Sequence, residues 1–196
     1  MRAGSSPGPS GVVSLNYDLL VEKVLGPAGF HYGGLPQPQV CTGRASSPFP
    51  RDRAREPLEL TGAVPVWKPH GSLNWHRTWT DWDRMSARIT IYPDLRAAFR
   101  GTGEAAIIPP VMVEDSVPAW LAGIWAGASA LLASVEEWWV AGYSLPEADV
   151  ALKAVLADAA KAGTLRRIYV RNKTERTRPR WEAIAGGVPV EFGPPL

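Results

Sequence analysis

Short apolar, β-branched runs alternate along this chain with stretches whose apolar residues recur every three or four positions, and that alternation constrains the fold most. Val12 to Leu15 reads as a strand; Leu19, Leu20, Val24 and Leu25 follow at helical spacing and stop at Gly26. Val64 to Trp67 and Ala106 to Ile108 are further strands. From Ser116 and Pro118, a start signal, Trp120, Ile124, Ala128, Leu131, Leu132 and Val135 mark an amphipathic helix. A strand at Trp138–Ala141, a helix from Pro146 to about Ala162 closed by Gly163, and a strand at Arg167–Val170 come next. A short helix around Trp181–Ala185 and a strand at Val188–Phe192 follow them. Strands joined through helices pair in parallel and need cover on both faces, so the expected fold class is α/β, a three-layer, Rossmann-like parallel sheet.

Two stretches interrupt the alternation. Residues 27–63 carry Pro and Gly every few positions without periodicity, which predicts a loop-rich insertion that the core does not need. Ser72 to Ala105, with Trp75, Trp79, Trp82 and one alternating run at Arg88–Tyr92, reads as an irregular excursion between core strands. Residues 1–11 (MRAGSSPGPSG) are expected to be a disordered N-terminal segment, leaving 12–196 as one α/β domain; a chain of 196 residues with 45% hydrophobic content buries one core.

Composition narrows the function classes. Lys and Arg number 21 against 19 Asp and Glu, a net charge of +2, too little for a nucleic-acid reader. The one dense basic stretch, Arg166 to Arg180, is broken by a strand pattern and by Glu175 and reads as a solvated edge. A single cysteine, Cys41, excludes an internal disulfide and a cysteine-only metal site, which points to a reduced cytoplasm. No signal peptide is visible and no apolar run reaches the length of a membrane span.

Polar groups stand where the strands end: Asn16 and Asp18, His70 with Ser72 and Asn74, Gly142 with Tyr143 and Ser144, and Asn172. In a parallel α/β sheet, ligands bind beyond the carboxyl ends of the strands, so these residues would line one crevice. Each also has a purely structural reading. Asp18 can cap the helix after it, Ser144 with Glu147 fits a capping box, and His70 and Asn172 can be turn residues.

Read in order, Ser14-Leu15-Asn16-Tyr17-Asp18, Lys68-Pro69-His70-Gly71-Ser72-Leu73-Asn74-Trp75, Ile107-Ile108-Pro109-Pro110, Gly142-Tyr143-Ser144-Leu145-Pro146-Glu147-Ala148-Asp149 and the strand end at Asn172 resemble the bacterial Sir2-like domain. The resemblance runs from about Val12 to Asn172. It implies an NAD-binding Rossmann-like fold related to the sirtuins. Many such domains, often in anti-phage defence, hydrolyse NAD to nicotinamide and ADP-ribose. By the same resemblance Asn16 and His70 are the catalytic pair, and Asp18, Gly71, Ser72, Gly142, Tyr143, Ser144 and Asn172 stand at the cofactor site. These residue types suit the chemistry: nicotinamide leaves as a neutral molecule, so the site needs no strong acid. It needs an amide to orient water or ribose and an imidazole to take a proton. Gly71 is expected to allow close approach beside His70.

Two departures modify the expectation. Sirtuins carry zinc-binding cysteines after the histidine motif, and Ser72 to Ala105 has none, so no zinc and no deacylase activity are expected. The family's first strand and glycine-rich phosphate turn are not found upstream of Val12, so the domain is expected to be incomplete at its N-terminus and to bind NAD weakly. Three explanations stand open: a misplaced start, a remnant or interaction module without activity, or completion of the site by a partner chain or a second copy.

Overall fold

A computed structural model describes residues 10–26, 28–35, 40–41, 58–60, 62–80, 87–110 and 117–193. The fold is mixed α/β, and its described strands fall into three sheets. The first is parallel, in the order β1 (Val12–Val13), β5 (Val64–Trp67), β2 (Phe30–Tyr32), with Val66 opposite both Val12 and Tyr32. The second is also parallel and runs β11 (Val190–Gly193), β10 (Arg167–Arg171), β9 (Glu137–Ala141). The third is mixed, in the order β4 (Leu58–Glu59), β3 (Val40–Cys41), β7 (Ala87–Ile91), β6 (Gly71–Trp79), β8 (Glu104–Ile107).

Five α-helices accompany them among the described residues: α1 (Leu20–Leu25), α2 (Leu95–Phe99), α3 (Ala119–Ser134), α4 (Val150–Lys161) and α5 (Arg178–Ala185). Helix α3 buries Leu121, Ile124 and Ala128, one stripe at steps of three and four. That stripe joins a core shared by the first and third sheets, where Val66, Trp75 and Ala106 are fully buried. Trp125, one residue along, packs against both this core and the second one, built from Trp138, Leu152, Leu156, Ile168, Val170 and Trp181. Each fully buried aliphatic side chain contributes about 1.5–3 kcal/mol, so α3 joins two cores that each have substantial apolar content. No helix among the described residues is long and apolar enough to cross a membrane.

Four expectations need correction. The stretch 27–63 is not dispensable to the core: it supplies β2, whose Phe30 and Tyr32 are buried at 4% and 1% exposure. A three-residue strand between Gly29 and Gly33 is too short to show a period, which is why it reads as loop. Second, the described residues of Ser72–Ala105 are not an irregular excursion. β6 continues from Gly71 for nine residues, antiparallel to β7 and β8. A register shift between Gly71 and His76 places Asn74 and Trp75 both inside while Leu73 faces out, so the alternation that marks a strand is scrambled. Third, the Ala106–Ile108 run is a buried strand as expected, but its Ala106 and Ile107 lie in β8, antiparallel to β6 rather than in a parallel sheet.

The fourth concerns α4, which begins at Val150 rather than Pro146. Residues 142–149 form an open loop with Leu145 at φ 51° and a turn that the Asp149 N–H closes on the Pro146 carbonyl. Ser144 is therefore no helix cap. The remaining expected helices and strands lie within a few residues of the observed bounds. Ser116 and residues 1–9 fall outside the described residues.

Candidate functional site

Strand β5 ends in a tight turn, Lys68 to Gly71, closed by the Gly71 N–H donating to the Lys68 carbonyl at 2.8 Å. Pro69 suits the second position of such a turn by its fixed φ. Gly71 sits at φ 81°, and a Cβ there would lie 1.9 Å from the Ala106 carbonyl oxygen. The approach that demands a glycine is thus that of the neighbouring strand β8, not of a ligand. The turn presents His70, 4% exposed, between the rings of Tyr17 and Trp125, with centroids at 6.3 and 6.1 Å. Trp125 Nε1 donates to the Pro69 carbonyl at 2.9 Å, and the Ile108 N–H donates to the His70 carbonyl at 2.9 Å. Two neighbours thereby hold the turn's backbone.

Across from the imidazole stands Asp149, 2% exposed, at the start of α4. Its Oδ1 is 3.6 Å from His70 Nε2, and its Oδ2 accepts from the Tyr143 hydroxyl at 2.6 Å. Burial raises the Asp149 carboxyl, but the neighbouring His70 ring and the Tyr143 hydroxyl outweigh it and leave the group below the usual carboxylate range. Burial and then Asp149 push the Tyr143 phenol well above its ordinary value, so it stays a donor. Tyr17 is raised by burial and by the same carboxylate. Asn172, just after β10, donates from Nδ2 to the Tyr143 carbonyl at 2.9 Å and to Thr177 Oγ1 at 3.3 Å. The end of β10 is thus tied to the loop after β9.

His70 and Asp149 open onto a cleft whose other walls are Trp125, Ile108, Pro109 and Pro110. Its interior space is about 10 Å³, room for roughly one water molecule. Among the described residues, no group of three or more His, Cys, Asp or Glu is placed to hold a metal ion.

The other sequence-derived candidates divide by burial. Asn16 is exposed in the link after β1, and Gly142 and Ser144 are exposed in the loop after β9. Gly142 has φ 71° and open space where a Cβ would stand. Asp18 acts as the helix-start acceptor, its Oδ1 taking the Leu20 N–H at 3.1 Å. Ser72 is fully buried and donates to Asn74 Oδ1 at 2.7 Å, while Asn74 Nδ2 donates to the Tyr92 carbonyl at 2.8 Å. Those two residues hold β6 in place. Sequence reasoning missed Asp149 as a site residue although it closes the Gly142–Asp149 motif; only the fold-back of that loop brings it to His70.

No protein-family model matches this chain, and no curated protein matches it.

Proposed function

We propose that this chain is a Sir2-like domain of Rossmann-like type that binds NAD and hydrolyses it to nicotinamide and ADP-ribose, with His70 as the general base and Asn16 orienting the ribose or water. One observation carries the reading: the five motif stretches are linked by unbroken contacts around His70. Tyr17 of the first donates to the Ile108 carbonyl of the third at 2.7 Å and lies beside His70 of the second. His70 meets Asp149 of the fourth, and Tyr143 of that same stretch accepts from Asn172. Residues scattered over the chain converge, as a shared ligand at strand ends requires.

In the proposed reaction the bond between ribose C1′ and the nicotinamide nitrogen breaks, and nicotinamide departs with the bonding pair as a neutral molecule. Water adds its oxygen to C1′ and yields a proton to His70. The residue types fit this chemistry: a buried imidazole beside a carboxylate and an exposed amide at Asn16. The cleft as folded has room for about one water molecule, so binding of a nicotinamide ring there requires its lining to rearrange. That same closure favours a second reading, an inactive Sir2-like interaction module that keeps the scaffold without the cofactor.

Nicotinamide release and calorimetric NAD binding by the purified chain separate the two. Under the enzymatic reading the wild type releases nicotinamide and His70→Ala or Asn16→Ala lowers the rate by about 100-fold or more. A folded wild type that neither binds NAD nor releases nicotinamide leaves the interaction module as the function.

A further inference from the structure

We infer that Asp149 is the positioning residue of this site: it holds the His70 ring with Nε2–H toward the carboxylate and leaves Nδ1 as the proton acceptor. The inference rests on the catalytic reading of His70 for its function, but on geometry for its substance. A carboxylate at 2% exposure must be met by donors, because an unpaired buried charge is costly. Oδ2 takes the Tyr143 hydroxyl at 2.6 Å, while His70 Nε2 faces Oδ1 at 3.6 Å. A ring nitrogen turned to a carboxylate carries its proton, so the neutral imidazole is the Nε2–H tautomer and its lone pair sits on Nδ1.

The turn around His70 leaves the ring little other choice. Tyr17 and Trp125 flank it, and the backbone on both sides is pinned by the bonds from Trp125 and Ile108. The remaining freedom is rotation of the ring and exchange of its proton, and Asp149 constrains both. Tyr143 extends the chain of control. Its hydroxyl orients the carboxylate, and its carbonyl is held by Asn172, so the loop after β9 and the base at the end of β5 are joined through one carboxylate. A ligand seated on that loop and the tautomer of His70 are then coupled.

The test reads the tautomer directly, by long-range ¹H–¹⁵N correlation of the His70 imidazole in the full chain without NAD. The variants are Asp149→Asn, Asp149→Glu and Tyr143→Phe, the last keeping the carboxylate in case the others unfold. The wild type should show a single Nε2–H tautomer, Asp149→Asn a mixture or the Nδ1–H form, and Asp149→Glu partial restoration. Tyr143→Phe should keep the tautomer but broaden its signals. Where nicotinamide release is measurable, Asp149→Asn should lower kcat by about 100-fold with little change in KM. A wild-type Nδ1–H tautomer, or one that Asp149→Asn leaves untouched, overturns the inference while leaving NAD hydrolysis standing. Absence of nicotinamide release with the tautomer shift intact overturns the activity and leaves the positioning role.

Discussion

Two buried polar clusters lie on either side of Pro69, and they differ in what they leave open. On one side Lys68, with no exposure, donates to Glu22 Oε1 at 2.9 Å and to the Asp18 carbonyl, and the Tyr32 hydroxyl donates to that same Oε1 at 3.1 Å. Burial lowers the Lys68 ammonium and Glu22 opposes that shift. Every direction from Lys68 Nζ ends in protein, and the cluster fastens α1 to β5 and β2. On the other side His70 meets the Asp149 carboxylate, and the two line one cleft. Burial alone therefore does not distinguish the two groups; what differs is that His70 lines a cleft and Lys68 does not border it.

The largest effect should come from breaking the Lys68–Glu22 pair. Lys68→Met leaves Glu22 as an uncompensated buried carboxylate and should cost about 3–5 kcal/mol in chemical denaturation. His70→Gln, at a site with a cleft to relax into, should cost about 1 kcal/mol. A reversal of that order would remove the distinction between the two clusters.

The glycines of the two site turns sharpen it next. Gly71→Ala combines a positive φ with a clash against the Ala106 carbonyl and should cost roughly 2–4 kcal/mol. Gly142→Ala pays only for its φ of 71°, about 1–2 kcal/mol, because nothing fills the space beyond it. Equal thermal shifts for the two variants would mean that β8 yields readily and that the His70 turn is softer than its hydrogen bonds imply.

The smallest effect is a pH dependence. The folded Asp149 carboxyl lies below its unfolded value, so its stabilisation is present above the unfolded pKa of about 4 and is lost as pH falls through the folded one. The stability gap between wild type and Asp149→Asn should therefore be wider at pH 7 than at pH 3. A gap that widens on acidification would mean that His70 and Tyr143 do not favour the carboxylate.

The sequence by itself determined α3, whose apolar spacing over sixteen residues records which face is buried, and the short apolar runs of β5, β9, β10 and β11, which turn and helix signals bound. Local chemistry also sufficed for Asp18, whose carboxylate reaches a helix start two residues on. Only the tertiary structure decided the rest. β2 is recognisable as a strand because Val66 lies beside it, and β6 because Trp75 and Asn74 are both drawn inside at an irregular register. The division of the strands among three sheets depends on pairings between residues far apart in sequence. So does the pairing of His70 with Asp149: each side chain is unremarkable in its own segment. Their proximity is a property of two loops meeting at the ends of different strands, a contact that no local preference encodes.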